Sequence, residues 1–226
     1  MDGSEQIQQH RDTFQIERVI LFTDAVFAIA ITLLVIEIKV PELEHPTEGA
    51  VQSVLAHLIP KFIGLFLSFF IIAIYWTAHH RIFRFVRRLD NRLLWLNLVF
   101  LLSIILMPFT TAYQSEYSLL RTPWILYSIN IAFTGLMQIA LQRHLSKARP
   151  QLVAAPEHEH PDLDIARPLM SPVVFISSIA LAFVLPPLAL RLIPAVAFPL
   201  LAFLQRKRYR RLTAAYQQRH GATVLA

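Results

Sequence analysis

Five blocks of apolar residues, each about long enough to cross a lipid bilayer, dominate this sequence. They occupy residues 19–38, 54–77, 93–113, 124–141 and 169–204. A helix needs about 20 consecutive, mostly apolar residues to span the hydrocarbon core, so the last block is too long for one span. Pro186 and Pro187 divide it, which predicts two short spans over 169–186 and 188–205. We therefore predict an all-α polytopic membrane protein with six transmembrane helices.

The composition agrees with a membrane protein and excludes several other classes. The chain is 55% hydrophobic and 16% charged, whereas a soluble domain carries about 25% charged residues. It has no cysteine, which excludes a disulfide scaffold, a cysteine-ligated metal site and a thiol enzyme. The sequence also lacks a glycine-rich phosphate loop, a Gly-x-Ser-x-Gly elbow and a His-Glu-x-x-His motif, which argues against an enzyme.

Basic residues are concentrated in the segments that connect alternate blocks. Only four of the 21 lysines and arginines fall on the other side, namely Lys39, Lys61, Arg121 and Arg191. The positive-inside rule therefore predicts that both termini are cytoplasmic, and it assigns the high pI to the membrane surface rather than to nucleic acid. We expect a cytoplasmic N-terminal segment over 1–17, a transmembrane domain over 18–205 and a basic tail over 206–226. Anionic lipids are the expected partners of the basic cytoplasmic segments.

The first block contains an ionisable residue inside the apolar segment. Asp24 lies about one helical turn into the block, and Arg18 precedes it near the membrane boundary. An ionisable side chain at that depth is costly, so by default it braces the bundle or serves a functional centre. The alternative interpretation is an aspartate close to the interface, hydrated among the lipid headgroups.

The same block carries an apolar stripe. Ile29, Leu33 and Ile36 share one helical face, and Thr32 lies beside them. Small residues at 25, 28 and 30 allow neighbouring helices to approach closely. Spacing alone favours ordinary helix packing for this stripe, and it leaves open a ring of apolar side chains around a pore.

The residues around Asp24 carry a recognisable signature. Arg18-x-x-x-Phe22-Thr23-Asp24 resembles the Arg-x-x-x-Phe-Ser-Asp signature of the first helix in the transmembrane protein 175 family of potassium channels. A second stretch also fits that family, and it includes Trp76, His79, His80, Asp90, Asn91, Asn97 and Pro108. The resemblance covers residues 18–112. Thr23 stands where the family usually has serine, which keeps the hydroxyl group and adds a methyl group.

The resemblance implies a bacterial, single-repeat channel in the inner membrane, with four copies around one axis. Potassium is then the permeant ion, and no cofactor or bound metal is expected. On that pattern Ile29, Leu33 and Ile36 form the pore constriction and gate, and Thr32 contributes to selectivity. An inter-helix network holds the pore helix, and its expected members are Arg18, Phe22, Thr23, Asp24, Trp76, His79, His80 and Asn91. No Thr-Val-Gly-Tyr-Gly filter is present, so we expect modest selectivity for potassium.

Several alternatives stay open at this point. A secondary transporter and a proton-permeable channel of the same fold are the competing functions, although no internal repeat supports a transporter. His79 and His80 form a possible metal pair, but adjacent helical residues point about 100° apart and chelate one ion poorly. The acidic segment 157–164 offers a weak divalent-cation site, and we expect a solvated linker there instead.

Overall fold

The computed structural model describes residues 3–147, 152–154 and 157–220. Within these ranges every regular element is helical, which confirms the predicted all-α class. The α-helices are α1 (Gly3–Ile36), α2 (Glu48–Phe83), α3 (Asn91–Ile105), α4 (Met107–Glu116), α5 (Arg121–Leu145), α6 (Ala166–Leu181) and α7 (Pro187–His220). Two short 3₁₀ turns, Glu157–Glu159 and Pro161–Leu163, precede α6.

Six helical stretches among the described residues are long and apolar enough to cross a membrane, which confirms the predicted number. Helices α3 and α4 together make one of these stretches, Asn91–Glu116. They are separated at Leu106, two residues before Pro108. Proline has no N–H group, and its ring clashes with the carbonyl of the preceding turn, so the helix is interrupted at this point.

The proline pair separates the last two spans, as predicted. Helix α6 ends at Leu181, before the expected end at residue 186. Because a residue that precedes proline avoids the α-helical conformation, Leu185 and Pro186 are poor helix residues. The chain therefore turns over residues 182–186. Helix α7 begins at Pro187, where the fixed φ angle of proline suits the first helical position.

Successive spans run antiparallel, which places both described ends of the chain at one end of the bundle. We call this the proximal end and the opposite one the distal end. At the proximal end, Arg88 Nε lies 2.6 Å from Asp12 Oδ2. At the distal end, Lys61 Nζ of α2 lies 2.6 Å from Glu116 Oε2 of α4. The 37–47 connection between α1 and α2 also lies at the distal end.

Helix α5 lies at the centre of the packing. It packs against α3, α4 and α6, and its span is the most buried of the six. Trp124, Tyr127 and Ile131 of α5 are fully buried. Gly135 allows α6 to approach closely, since a Cβ atom at this position would lie 2.6 Å from Pro172 Cδ. By contrast, α1 and α7 bury the smallest shares of their spans and leave long apolar surfaces uncovered.

Hydroxyl groups join the helices inside the bundle. Thr111 Oγ1 donates to Ser68 Oγ at 2.7 Å, and Ser68 Oγ lies 3.0 Å from Tyr127 Oη. Tyr75 Oη lies 2.5 Å from Ser171 Oγ. These contacts connect α2 with α4, α5 and α6. In a membrane the lipid tails are as apolar as the helix side chains, so the hydrophobic effect does not drive helices together. Interhelical hydrogen bonds such as these therefore contribute to helix association.

The acidic segment 157–164 is not the solvated linker that we expected. Asp162 is buried, and its carboxylate accepts hydrogen bonds from Arg84 Nη2 at 2.5 Å and Tyr209 Oη at 2.8 Å. Arg208 pairs with Asp164 at 3.1 Å. The expectation was wrong because cations from α2 and α7 compensate these carboxylates once the chain folds. Helix α7 continues through the basic residues 206–211 to His220 and packs along this segment.

His160 belongs to the same proximal cluster. Its Nδ1 accepts a hydrogen bond from the backbone N–H of Asp162 at 3.1 Å, and its ring packs against Phe85 and Tyr216. Burial lowers the pKa of His160 below its usual value. The imidazole is therefore neutral near pH 7, as its role as an acceptor requires.

We expect Gly135→Ala to destabilise the protein. The added methyl group would overlap the ring of Pro172, which cannot rotate away, so α5 and α6 would have to separate. Overpacking of this kind costs about 1–3 kcal/mol. Thermal unfolding of the detergent-solubilised protein measures the change. Gly49→Ala is the matched control, because a Cβ atom there meets nothing within 4 Å. If both variants unfold at the parent temperature, the close packing of α5 on α6 is refuted.

Candidate functional site

Helix α1 has one buried face and one wide exposed face. Thr23, Phe27, Ala30 and Leu34 recur at helical spacing and are buried. This face packs against α2, α3 and α4. The exposed face includes the three residues expected to line a pore: Ile29, Leu33 and Ile36. Ile29 is 58% exposed although its side chain is wholly apolar. A single chain therefore leaves the predicted constriction residues without a partner.

Asp24 is held by the second helix. Trp76 Nε1 donates a hydrogen bond to Asp24 Oδ1 at 2.8 Å, and the aspartate is half-buried. The ring of His80 stacks on the ring of Trp76, with centroids 5.7 Å apart. The indole N–H of Trp76 on α2 thus donates a hydrogen bond to the carboxylate of Asp24, which lies inside the apolar span of α1. This hydrogen bond joins α1 to α2.

Thr23, next to Asp24, is joined to α2 and α3 through Asn97. The Nδ2 group of Asn97 donates to Thr23 Oγ1 at 3.0 Å. Its Oδ1 atom lies 2.8 Å from His79 Nε2, and accepts the hydrogen bond that this nitrogen donates. All three side chains are buried. The hydroxyl of Thr23 accepts this hydrogen bond, and the methyl group that distinguishes threonine from serine leaves it intact.

The two adjacent histidines point to different surroundings. The ring of His79 stacks between Phe83 and Phe100, with centroid distances of 4.0 and 5.5 Å. His80 is exposed and stacks on Trp76. This divergence does not suit a shared metal ion. Across residues 3–147, 152–154 and 157–220, no group of three or more metal-ligating side chains is positioned to hold one.

Four of the expected network residues take no part in these hydrogen bonds. His80 stacks on Trp76, and the other three lie apart. Arg18 is exposed and its guanidinium lies 6.0 Å from the centroid of the Phe14 ring. Phe22 is exposed on α1, and Asn91 is exposed as the first residue of α3. The amide that joins three helices is Asn97, which our sequence interpretation did not include in the network. A lone asparagine in the apolar stretch of α3 is the signal that identifies it, since a buried amide needs partners.

Thr32 is exposed on the same side of α1 as Ile29. Its hydroxyl donates to the backbone carbonyl of Ile29 at 2.9 Å. The proton of this hydroxyl is therefore used within the helix, and the oxygen lone pairs remain as acceptors on the exposed face. An acceptor of this kind suits a cation or a water molecule.

We expect Asn97→Leu to destabilise the protein, because His79 and Thr23 would each lose a buried hydrogen-bond partner. An unsatisfied buried polar group costs about 1–3 kcal/mol. Asn91→Ala is the matched control, since Asn91 is exposed on the same helix and should tolerate the change. Thermal unfolding of both purified variants provides the measurement. A stable Asn97→Leu protein would show that these hydrogen bonds do not hold α1 in place.

Comparison with known proteins shows which proteins this site resembles. The family model described as endosomal/lysosomal potassium channel TMEM175 matches residues 18–108, which contain Thr23, Asp24, Trp76 and Asn97. A potassium channel of Streptomyces collinus is 42% identical over 100 residues, which cover 44% of this chain and 48% of that protein. A potassium channel of a Chryseobacterium species is 28% identical over 169 residues, covering 75% of this chain and 83% of that protein. The match to the Streptomyces protein therefore spans only about half of that protein's length.

A solved structure and several vertebrate proteins extend the comparison. The crystal structure of a lysosomal potassium-selective channel TMEM175 homologue from Chamaesiphon minutus matches with a TM-score of 0.69 and 29% identity. The match covers 85% of this chain and 97% of that one. Vertebrate relatives named endosomal/lysosomal proton channel TMEM175 match more weakly, the human protein at 26% identity over 124 residues. The shared six-helix fold and the matched segment around Thr23 and Asp24 make this chain a multi-pass membrane protein that is similar to the TMEM175 ion channels.

Proposed function

We propose that this protein is a potassium channel whose pore lies on the axis of a homotetramer and is lined by α1. Two bacterial relatives are named potassium channels, and the similar solved structure is that of a potassium-selective channel homologue. The physical support is the exposed apolar face of α1, with Ile29, Leu33 and Ile36 at helical spacing. One helix cannot enclose a pore, whereas four copies around a symmetry axis can.

The constriction would act as a gate by excluding water. Ile29, Leu33 and Ile36 offer no ligand to an ion, so a narrow ring of these side chains imposes a large desolvation barrier. A small outward movement or rotation of α1 would widen the ring and allow water to return. Ala25 and Ala28, also on the exposed side, leave room for neighbouring copies of α1 to approach closely.

Selectivity would arise at Thr32. Potassium gives up its hydration water more readily than sodium, so a dry constriction favours potassium modestly. The free lone pairs of the Thr32 hydroxyl would compensate part of the lost hydration. This arrangement replaces the carbonyl filter of other potassium channels, and we expect weaker discrimination from it.

The hydrogen bonds at the proximal half of α1 would hold the pore helix in register. Asp24 is bonded to Trp76, and Thr23 is connected through Asn97 to His79. Both sets of bonds fasten the buried face of α1 to α2 and α3. A movement of α2 would therefore be transmitted to the face of α1 that lines the pore.

The proximal end would face the cytoplasm of a bacterial cell, because the basic residues are concentrated there. Arg206, Lys207, Arg210 and Arg211 are exposed on the half of α7 that extends past the bundle. They would contact anionic headgroups of the inner leaflet, at about 1 kcal/mol for each basic residue near the surface.

Proton permeation is the second candidate function. The vertebrate relatives named proton channels share about 25–30% identity with this chain, and their matched regions cover about half of it. Water that refills an open constriction would also conduct protons. Vesicles that contain a pH-sensitive dye separate the two functions, since a potassium-selective channel acidifies or alkalinises them only when a separate proton carrier is added.

We expect a homotetramer in gentle detergent and in lipid. The measurement is native mass spectrometry, which should give four times the 25.9 kDa chain mass. The pore requires this stoichiometry because each chain contributes one α1. A monomer under both conditions would refute the proposed pore, whatever ion flux the sample showed.

We expect Ile29→Asn to raise resting potassium flux and to reduce the preference for potassium over sodium. Each new amide would hydrate or coordinate a passing cation and so remove the barrier to water. Val35→Asn is the matched control, because Val35 is 56% exposed on α1 and points about 120° away from Ile29 on the helical wheel. Potassium efflux from potassium-loaded vesicles and single-channel recording give the measurements.

Thr32→Ala should lower the selectivity for potassium over sodium, while the resting potassium flux through the closed state stays low.

Two results would contradict this assignment. If Ile29→Asn forms tetramers but shows the flux and selectivity of the parent, the gate lies elsewhere on α1. If Val35→Asn raises flux as much as Ile29→Asn does, the effect is a general consequence of adding polar groups to α1. Tetramer content, measured on the same samples, separates both results from simple misfolding.

A further inference from the structure

A cleft lies behind the distal end of α1. Its volume is about 280 Å³, and it is enclosed by the end of α1, the first half of α2 and the second half of α4. The buried face of α1 contributes to it through Leu34. The cleft is thus on the opposite side of α1 from Ile29, and the proposed pathway for ions does not use it.

The lining of the cleft changes from apolar to charged along α2 and α4, and from the end of α1 into residues 37–39. Towards the middle of the bundle it consists of Leu34, Leu65 and Phe109. At the distal rim it carries two cations and two carboxylates, from Lys39, Lys61, Glu37 and Glu116. This polarity gradient has the direction of a single lipid leaflet, with headgroups at the rim and acyl chains below them.

The apolar part of the cleft continues along the outside of the bundle. Phe69 follows Leu65 one turn further along α2 and is exposed. Ile105 and Leu102 follow Phe109 at helical spacing on the α3–α4 span and are also exposed. An acyl chain that begins in the cleft therefore has an apolar track towards the bilayer centre. A small water-soluble molecule would not bind to this apolar surface.

The rim has the charges to bind a zwitterion. Lys61 is already paired with Glu116 at 2.6 Å, whereas Lys39 and Glu37 form no ion pair with any described residue. A phosphate fits the free lysine, and an ammonium group fits the free glutamate. Tyr113 and Tyr117 also line the cleft, with rings 5.3 Å apart, and their faces attract an ammonium group.

From these features we infer that the cleft is a binding site for one zwitterionic phospholipid of the distal leaflet, with a phosphate and a primary ammonium in its headgroup. Lys39 binds the phosphate, Glu37 and the tyrosine rings bind the ammonium, and one acyl chain lies on Leu65 and Phe109. The bound lipid fills the space between the end of α1 and its neighbours. This site does not depend on conduction, and it differs from the basic surface that would contact anionic lipids at the proximal end.

Lipid binding to the delipidated, purified full-length protein tests this inference. The probes are dioleoylphosphatidylethanolamine, dioleoylphosphatidylglycerol and dioleoylglycerol, with free phosphoethanolamine as the headgroup alone. We expect the phosphatidylethanolamine to give one retained adduct per chain in native mass spectrometry and to raise the unfolding temperature with increasing dose. The other three probes should give smaller shifts, because each lacks the ammonium, the headgroup or the acyl chains.

Lys39→Gln is the informative variant, because Lys39 is exposed and unpaired within the described chain and its replacement should not disturb folding. Loss of one charge pair worth up to about 1 kcal/mol should weaken phosphatidylethanolamine binding about fivefold. Arg121→Gln is the matched control, since Arg121 is a distal cation outside the cleft and its loss should leave binding unchanged.

Two outcomes would overturn the inference. Equal shifts from all three lipids would show that the lipid is non-specific solvent for the apolar surface. Unchanged phosphatidylethanolamine binding by Lys39→Gln, or equal weakening by Arg121→Gln, would show that the cleft does not select the headgroup. Neither outcome depends on whether the protein conducts ions.

Discussion

The hydrogen bonds of Trp76 and Asn97 to α1 set the rotation of this helix, and the rest of the site depends on that rotation. Lipid is as apolar as the side chains of α1, so no hydrophobic force turns one apolar face of it inward. The hydrogen bonds to Asp24 and Thr23 instead determine which face of α1 lies against the other helices. Because an α-helix is rigid, fixing the first of its membrane-embedded turns also fixes the direction of Ile29, about 1.5 turns later, and of Ile36, about 3.5 turns later.

Charge organises the two ends of the bundle differently. At the proximal end the buried carboxylate of Asp162 is shared by Arg84 and Tyr209, which connects α2 with α7. Among the described residues, the distal end has one ion pair between helices, Lys61–Glu116, and leaves an open cleft beside α1. Helix α1 is therefore held firmly near Asp24 and more loosely at its distal end. If α1 lines a pore and a lipid occupies the cleft, as proposed, the helix would be fixed at one end and would keep freedom to move at the other.

Most of the fold could be predicted from hydropathy and proline positions. The six spans and the turn at Pro186 follow from the need to satisfy every backbone group inside a helix within the membrane. Helix ends were less predictable, because α2 and α7 extend past the bilayer-length segment. The extension of α7 is supported by contacts between distant parts of the chain, such as Arg208 with Asp164. Asp162 was misjudged for a related reason. Its acidic neighbourhood in the chain suggests solvent exposure, whereas its neutralising cations come from distant positions.

The site divides along the same line. Asp24 could be identified from the sequence because an ionisable side chain in an apolar span needs a reason, and Thr23, Trp76 and His79 could be identified through the family resemblance. Which of them bond to one another could not, and Asn97 rather than Asn91 completes the set of contacts. Hydropathy and local spacing are properties of one helix, so they establish the membrane class, the number of spans and the apolar stripe on α1. Which site residues form hydrogen bonds with one another, and which face of α1 stays exposed, depend on distances between helices that are far apart in the chain. Those distances are decided only when the helices pack.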